Sequence, residues 1–180
     1  MGKSQTALRA KKVGQTFQTF KVNPDTKPMI DALRMLSNPD PPFRLLLIYG
    51  TVGNGKTHGC NALAYALIQK QVAIKAWTVA DLFANLRASI GTNTLEQELT
   101  TLKNHKVLIL DDWAKEYASG WEIARMEEVI DYRYRQGLAT VLTTNRPLAE
   151  LPDRIVSRFS ERGIGKRVEN KAKDWRLEGG

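Results

Sequence analysis

Eight consecutive residues, Gly50-Thr51-Val52-Gly53-Asn54-Gly55-Lys56-Thr57, have the spacing Gly-x4-Gly-Lys-Thr. Those residue types in that order suit the holding of a chain of phosphates. Gly50 and Gly55 remove side chains that would keep backbone N–H groups away from an anion, and Gly53 gives further freedom. Lys56 reaches β- and γ-phosphates, and the Thr57 hydroxyl ligates Mg2+. A helix starting there aims unpaired N–H groups and a partial positive charge at the same anion. The candidate nucleotide-binding residues are therefore Gly50, Thr51, Val52, Gly53, Asn54, Gly55, Lys56, Thr57 and His58.

Three further segments add groups that act on phosphates. "VLILDDW" is four apolar residues ending in paired carboxylates. A buried strand would hold Asp111 beside Thr57 to position Mg2+, and Asp112 at its tip would orient or deprotonate an attacking water. "TVLTTN" is an apolar strand tipped by Asn145, whose carboxamide can hydrogen-bond a γ-phosphate or the same water. "LPDRIVSRFSER" opens a short helix at Pro152 and puts Arg154 and Arg158 four apart on one face. An arginine offered to another subunit's γ-phosphate is an arginine finger, worth about 10³ to 10⁵ in rate.

The surrounding pattern supplies the supports. Residues 1–23 are polar and basic around Phe17 and Phe20, and read as an extended arm. "KPMIDALRML" spaces Met29, Ile30, Leu33 and Leu36 as one helical face, stopped by Asn38-Pro39-Asp40-Pro41-Pro42. Strands are predicted in "RLLLIY", "VAIKAW", "KVLILDDW", "ATVLTTN" and "GIGKRVEN", and helices at Lys56–Lys70, from Thr78, and from Ser119 to Gly137. Thr78 with Asp81, and Ser119 with Glu122, have capping-box spacing. Alternating strands and helices predict an α/β fold with a parallel sheet covered on both faces.

Bulk properties narrow the function classes. The chain has 180 residues, 42% of them hydrophobic and 26% charged, as in a globular protein. No apolar run approaches the roughly 20 residues of a membrane span. The opening "MGKSQT" fits the myristoylation pattern but has no second membrane signal beside it. Cys60 is the only cysteine, which excludes an intrachain disulfide and favours a reducing, cytoplasmic setting. The net charge of +8 sits at the ends: residues 1–37 carry seven basic against two acidic residues, and residues 154–180 eight against four. A near-neutral body with basic ends suggests a polyanionic partner, with nucleic acid the leading candidate.

Together, "QTFQTFKV", "YGTVGNGKTH", "TVADLFANLR", "VLILDDW", "TVLTTNRPLAEL", "RIVSRFSE" and "DWR" resemble the AAA+ ATPases, and within them the DnaC/IstB-type group of helicase loaders, also similar to the initiator DnaA. The resemblance implies a P-loop NTPase fold with a five-stranded parallel sheet ordered 5-1-4-3-2, helices on both faces and little or no C-terminal lid. It implies residues 1–40 as a basic arm with a short helix, 41–176 as the ATPase domain and 177–180 as a tail. ATP and Mg2+ are the implied ligands, and assembly into a ring or spiral would put the site between subunits. Asn145 becomes sensor 1, Arg158 the arginine finger with Arg154 beside it, and Arg176 a substitute for sensor 2. The segment Thr78–Lys106 corresponds to the part that touches single-stranded DNA, making Arg87 and Lys103, flanked by Lys75 and Lys106, the candidate DNA contacts. Where many AAA+ enzymes carry Asp-Glu this chain has Asp111-Asp112, so slow turnover is implied.

The implied activity is a Mg-dependent ATPase that binds single- or double-stranded DNA and loads or remodels a replicative helicase. A transposition helper of the same group, recruiting a transposase, is the near alternative. A P-loop small-molecule kinase would transfer phosphate to an acceptor without needing Asn145 or Arg158. A nucleotide-gated DNA-binding module would tolerate loss of Asp112 but not of Lys56.

Overall fold

A computed structural model describes residues 14–114 and 118–175. The strands Leu45–Tyr49 (β1), Ile74–Thr78 (β2), Val107–Trp113 (β3), Ala139–Thr144 (β4) and Gly165–Glu169 (β5) form one sheet, β2-β3-β4-β1-β5, with every pairing parallel. This is the order that the resemblance to AAA+ ATPases implies, read from the opposite edge. The helices are Lys27–Leu36 (α1), Lys56–Gln69 (α2), Val79–Gly91 (α3), Leu95–Asn104 (α4), Gly120–Arg135 (α5) and Asp153–Ser160 (α6).

Period-two alternation divides the apolar strands between two cores. Leu46, Ile48, Ile109, Val141 and Val168 face α1 and α2, whereas Leu45, Leu47, Leu108, Leu110 and Leu142 face α3 to α6. Helix α1, which sequence counts with the N-terminal arm, packs on α2 and β5 and buries Met29, Ile30, Leu33 and Leu36 in the first core. Each such side chain contributes about 1.5–3 kcal/mol by leaving water. The arm itself brings Phe20 to the same core, 6% exposed.

The helix starts follow their chemistry. Thr78 caps α3, its hydroxyl accepting the Asp81 N–H at 3.1 Å. Ser119 and Glu122 form the reciprocal capping box of α5. Two boundaries shift. β2 begins at Ile74 rather than Val72, since Val72 N–H still closes the end of α2 on Leu67 O. Pro152 is extended at ψ 128° and precedes α6, so Asp153 is the first helical residue. The segment between β2 and β3 is two helices, α3 and α4, broken at Asn93 with φ 55°. Arg133, buried in α5, ties this region down: its guanidinium donates to Leu102 O, Lys103 O, His105 O, Ala139 O and Thr140 Oγ1.

Arg176 and the "MGKSQT" opening lie outside the described residues. Among the described residues no helix is long and apolar enough to cross a membrane.

Candidate nucleotide site

The strand β1, the loop after it and α2 set the phosphate groups. Gly55 caps α2 at φ 94°, a left-handed geometry that costs a side-chain-bearing residue strain. Lys56 Nζ donates to Gly50 O (2.9 Å), Thr51 O (2.7 Å) and Asn54 Oδ1 (3.0 Å), so its ammonium lies inside the loop. Burial lowers its pKa from 10.5 to about 8, opposed by the carboxylates of Asp111 and Asp112.

The carboxylates come from the end of β3. Asp111 is 2% exposed, accepting from Thr57 Oγ1 at 2.7 Å and from Thr143 Oγ1 at 2.6 Å. Burial pushes its pKa up, while these two hydroxyls pull it down. Successive strand side chains ordinarily point to opposite faces. Here both aspartates line one cavity, because a bulge interrupts the β3–β4 register between Leu110 and Trp113. Asp112 absorbs it at φ 63°, a conformation Asp tolerates better than most residues. Its N–H donates to Thr143 Oγ1 at 2.8 Å, and its Oδ1 accepts from Asn145 Nδ2 at 2.6 Å.

The structure thus brings Lys56, Thr57, His58, Asp111, Asp112 and Asn145 around one cavity of about 430 Å3. A smaller cavity of about 250 Å3 shares Gly55 and His58 with it and is walled by Phe20 and Trp175. His58 Nε2 is shut from solvent with no hydrogen-bond partner among the described residues, the sort of atom a ligand can satisfy. These residues fit a nucleotide with a bound divalent cation: one hydroxyl and one carboxylate, the rest of its shell falling to phosphates and water, is how Mg2+ is commonly held.

The remaining candidates lie elsewhere. Arg154 and Arg158 share a face of α6 as expected, and both engage Asp131 of α5. Arg158 Nε is 3.1 Å from Asp131 Oδ1, and its guanidinium lies 4.5 Å from the centre of the Tyr134 ring. Of the DNA candidates, Arg87 pairs with buried Glu122 and Lys103 with Glu128, six residues further along α5. Lys75 lies over the Trp77 ring. Lys106 lines a cavity of about 370 Å3 with Arg44 and Lys70, where β3 begins, at the other end of that strand from Asp111.

Sequence reasoning missed Thr143, Phe20 and Trp175 as site residues. Thr143 could have been found: with Ile109 opposite Val141, a step of two along each parallel strand brings Asp111 to Thr143. Phe20 and Trp175 meet at the loop from the two ends of the chain, and no local pattern foretells that.

Comparisons with known proteins bear on the family and the fold. The family model for IstB-like ATP binding proteins matches residues 5–157. The replicative helicase loader DnaI of Bacillus subtilis is 32% identical over 130 residues, covering 71% of this chain and 40% of DnaI. The chromosomal replication initiator DnaA of Enterococcus faecalis is 30% identical over 152 residues, 81% of this chain and 34% of that protein. The chain therefore spans about a third to two fifths of the length of these curated relatives. Among solved structures, a DnaC helicase loader superposes with TM-score 0.73 at 25% identity, covering 87% of this chain and 97% of that one. DnaA bound to AMPPCP and single-stranded DNA gives 0.78 at 21% identity, covering 88% and 50%. The fold is that of AAA+ P-loop NTPases.

Proposed function

The chain belongs to the IstB-like ATP-binding protein family, and on that premise we propose that it is a Mg-dependent ATPase that binds DNA and loads or remodels a replicative helicase. One observation carries the enzymatic part: Lys56, Thr57, Asp111, Asp112 and Asn145 converge on a single cavity. Lys56 leaves its loop carbonyls for the β- and γ-phosphate oxygens. Thr57 and Asp111 would hold Mg2+, which would supply positive charge beside the phosphates. Asp112 takes the proton of the attacking water as its oxygen bonds the γ-phosphorus and the bond to ADP breaks. Asn145 can donate either to Asp112, as it does here, or to the γ-phosphate. The base belongs against Phe20, His58 and Trp175, whose cavity adjoins the loop.

Arg158 is the group offered to a neighbouring copy in a ring or spiral, and reaching out requires it to leave Asp131 and the Tyr134 ring. The named relatives support a helicase-loading role, since DnaI and DnaC are helicase loaders and a DnaA structure holds single-stranded DNA. Because Arg87 and Lys103 already have acidic partners, DNA phosphates would compete with Glu122 and Glu128 for them. A cytoplasmic setting follows from that role. The second reading is a transposition helper of the same group, one that recruits a transposase.

The test is ATP hydrolysis across protein concentrations, with and without single-stranded DNA. Specific activity should rise with concentration, and Arg158→Ala should abolish the rise while leaving nucleotide binding intact. A flat profile indifferent to Arg158→Ala contradicts a shared site. Capture of a hexameric helicase rather than a transposase decides between the two roles.

A further inference from the structure

The chain leaving β5 does not turn away from the sheet; it crosses the phosphate loop and is fastened to it. Asn170, the residue after β5, is 1% exposed, as is Asn54 in the loop. Their side chains reciprocate. Asn54 Nδ2 donates to Asn170 O at 2.9 Å, and Asn170 Nδ2 donates to Asn54 O at 2.8 Å. Turning either carboxamide over would face oxygen with carbonyl oxygen, so this network fixes both orientations. Asn170 N–H also donates to Tyr49 O at 2.8 Å, and Asn170 Oδ1 accepts from Ala172 N–H at 3.2 Å. Further along, Thr51 Oγ1 meets Ala172 O at 3.4 Å and Trp175 N–H donates to Gly53 O at 3.2 Å.

Two glycines of the phosphate motif answer to this strap as well as to phosphates. A Cβ at Gly50 would lie 2.2 Å from Asn170 O, and one at Gly53 would lie 1.8 Å from Asp174 Oδ1. The first collision is with backbone, which cannot rotate aside.

We propose that Asn170 is a positioning residue for the nucleotide: with Asn54 it forms a latch that sets the shape of the phosphate loop and couples it to the strap Asn170–Trp175. This rests on the ATP reading. The Asn54 carboxamide holds the Lys56 ammonium at one end, 3.0 Å from Oδ1, and Asn170 at the other. When Lys56 turns to phosphate oxygens it gives up Asn54 Oδ1, and one planar amide passes that change to Asn170 and on to Ala172. Loop and strap then respond to nucleotide as one unit, Trp175 included.

Asn170→Ala and Asn170→Asp are compared with wild type and with Val168→Ala, a buried residue of β5 whose truncation loosens the core without removing a bond to the loop. Amide hydrogen exchange is followed at Thr51–Gly55 and at Ala172–Trp175, and affinity is read with a fluorescent Mg·ATP analogue. Asn170→Ala should speed exchange in both segments together and weaken binding about tenfold, the size expected for losing the bonds to Asn54 O and from Ala172 N–H; the weak contact of Nδ2 with Met29 Sδ at 3.4 Å, lost with them, bears on the core rather than on the loop. Asn170→Asp keeps the acceptor for Ala172 but not the donor, and should behave like the alanine variant. Val168→Ala should lower Tm with affinity unchanged, and nucleotide should slow exchange at Ala172–Trp175 in wild type. Unaltered strap exchange in Asn170→Ala overturns the latch. So does faster exchange with unaltered affinity, or equal weakening by Val168→Ala. If wild type itself binds no nucleotide, the ATP reading has failed, and the exchange measurements alone decide whether loop and strap are coupled.

Discussion

Thr143→Val tests the site's internal support with one atom. The Thr143 hydroxyl donates to Asp111 Oδ1 at 2.6 Å and accepts the Asp112 N–H at 2.8 Å, in a residue with no exposed surface. Valine keeps the shape and removes both bonds. A hydrogen bond to a charged group is worth about 1.5–3 kcal/mol and a neutral one about 0.5–1.5, so the loss should be about 2–4 kcal/mol. The pH dependence follows from Asp111. Its folded pKa is already above the ordinary 3.8 because of burial, so ionising it opposes folding as pH rises through that window. Removing Thr143 raises this pKa further and widens the window. The loss should therefore be largest near pH 7 and shrink as pH falls, reaching its floor below 3.8, where both states bind the proton. Urea unfolding followed by tryptophan fluorescence at pH 7 and in mild acid gives both numbers. A loss below about 0.5 kcal/mol at pH 7, the range of an ordinary surface change, or the same loss at both pH values, refutes the reasoning.

Arg133→Met should destabilise by about 3 kcal/mol or more, since it removes a fully buried charged donor from four buried or part-buried backbone carbonyls; a change under 1 kcal/mol in the same assay contradicts that role. Lys56, with its pKa lowered to about 8, must be cationic to grip phosphate, so nucleotide affinity should fall by up to about tenfold per pH unit above that value. Stability moves the other way: between about 8 and 10.5 the unfolded chain binds more protons at this residue, so its contribution rises with pH. Calorimetry at pH 9 in two buffers should detect proton uptake on binding, and none would count against the assignment. Asp131→Asn, releasing Arg154 and Arg158, should lower the protein concentration for half-maximal ATPase by up to about fivefold, the size of one partly exposed ion pair; a higher concentration requirement contradicts the parked arginine.

What was legible in the sequence was what lies close along it. The phosphate motif fixes its own strand–loop–helix context, the capping pairs announce α3 and α5, and continuous apolar strands foretell a doubly covered sheet. Asp111, Asp112 and Asn145 stand at strand ends, so parallel pairing alone brings them to the phosphate side. The bulge that lets two consecutive aspartates share a cavity was not legible, because it depends on β4 pairing out of step beyond Leu110. Arg133 carries no motif, and its five partners come from two separate segments, 102–105 and 139–140. The strap was hidden for the same reason: Asn54 and Asn170 are 116 residues apart, and an asparagine before "KAKDW" reads as an ordinary turn. Charge was legible in amount but not in use, since Arg87 and Lys103 are paired within the chain.

Equilibrium titration of the protein with Mg·ATP, beside a Lys56→Ala variant shown by circular dichroism to be folded, tests the central claim most directly. The account predicts saturable binding by wild type and its loss in the variant. Wild type that fails to bind, or a folded Lys56→Ala protein that binds equally well, contradicts it.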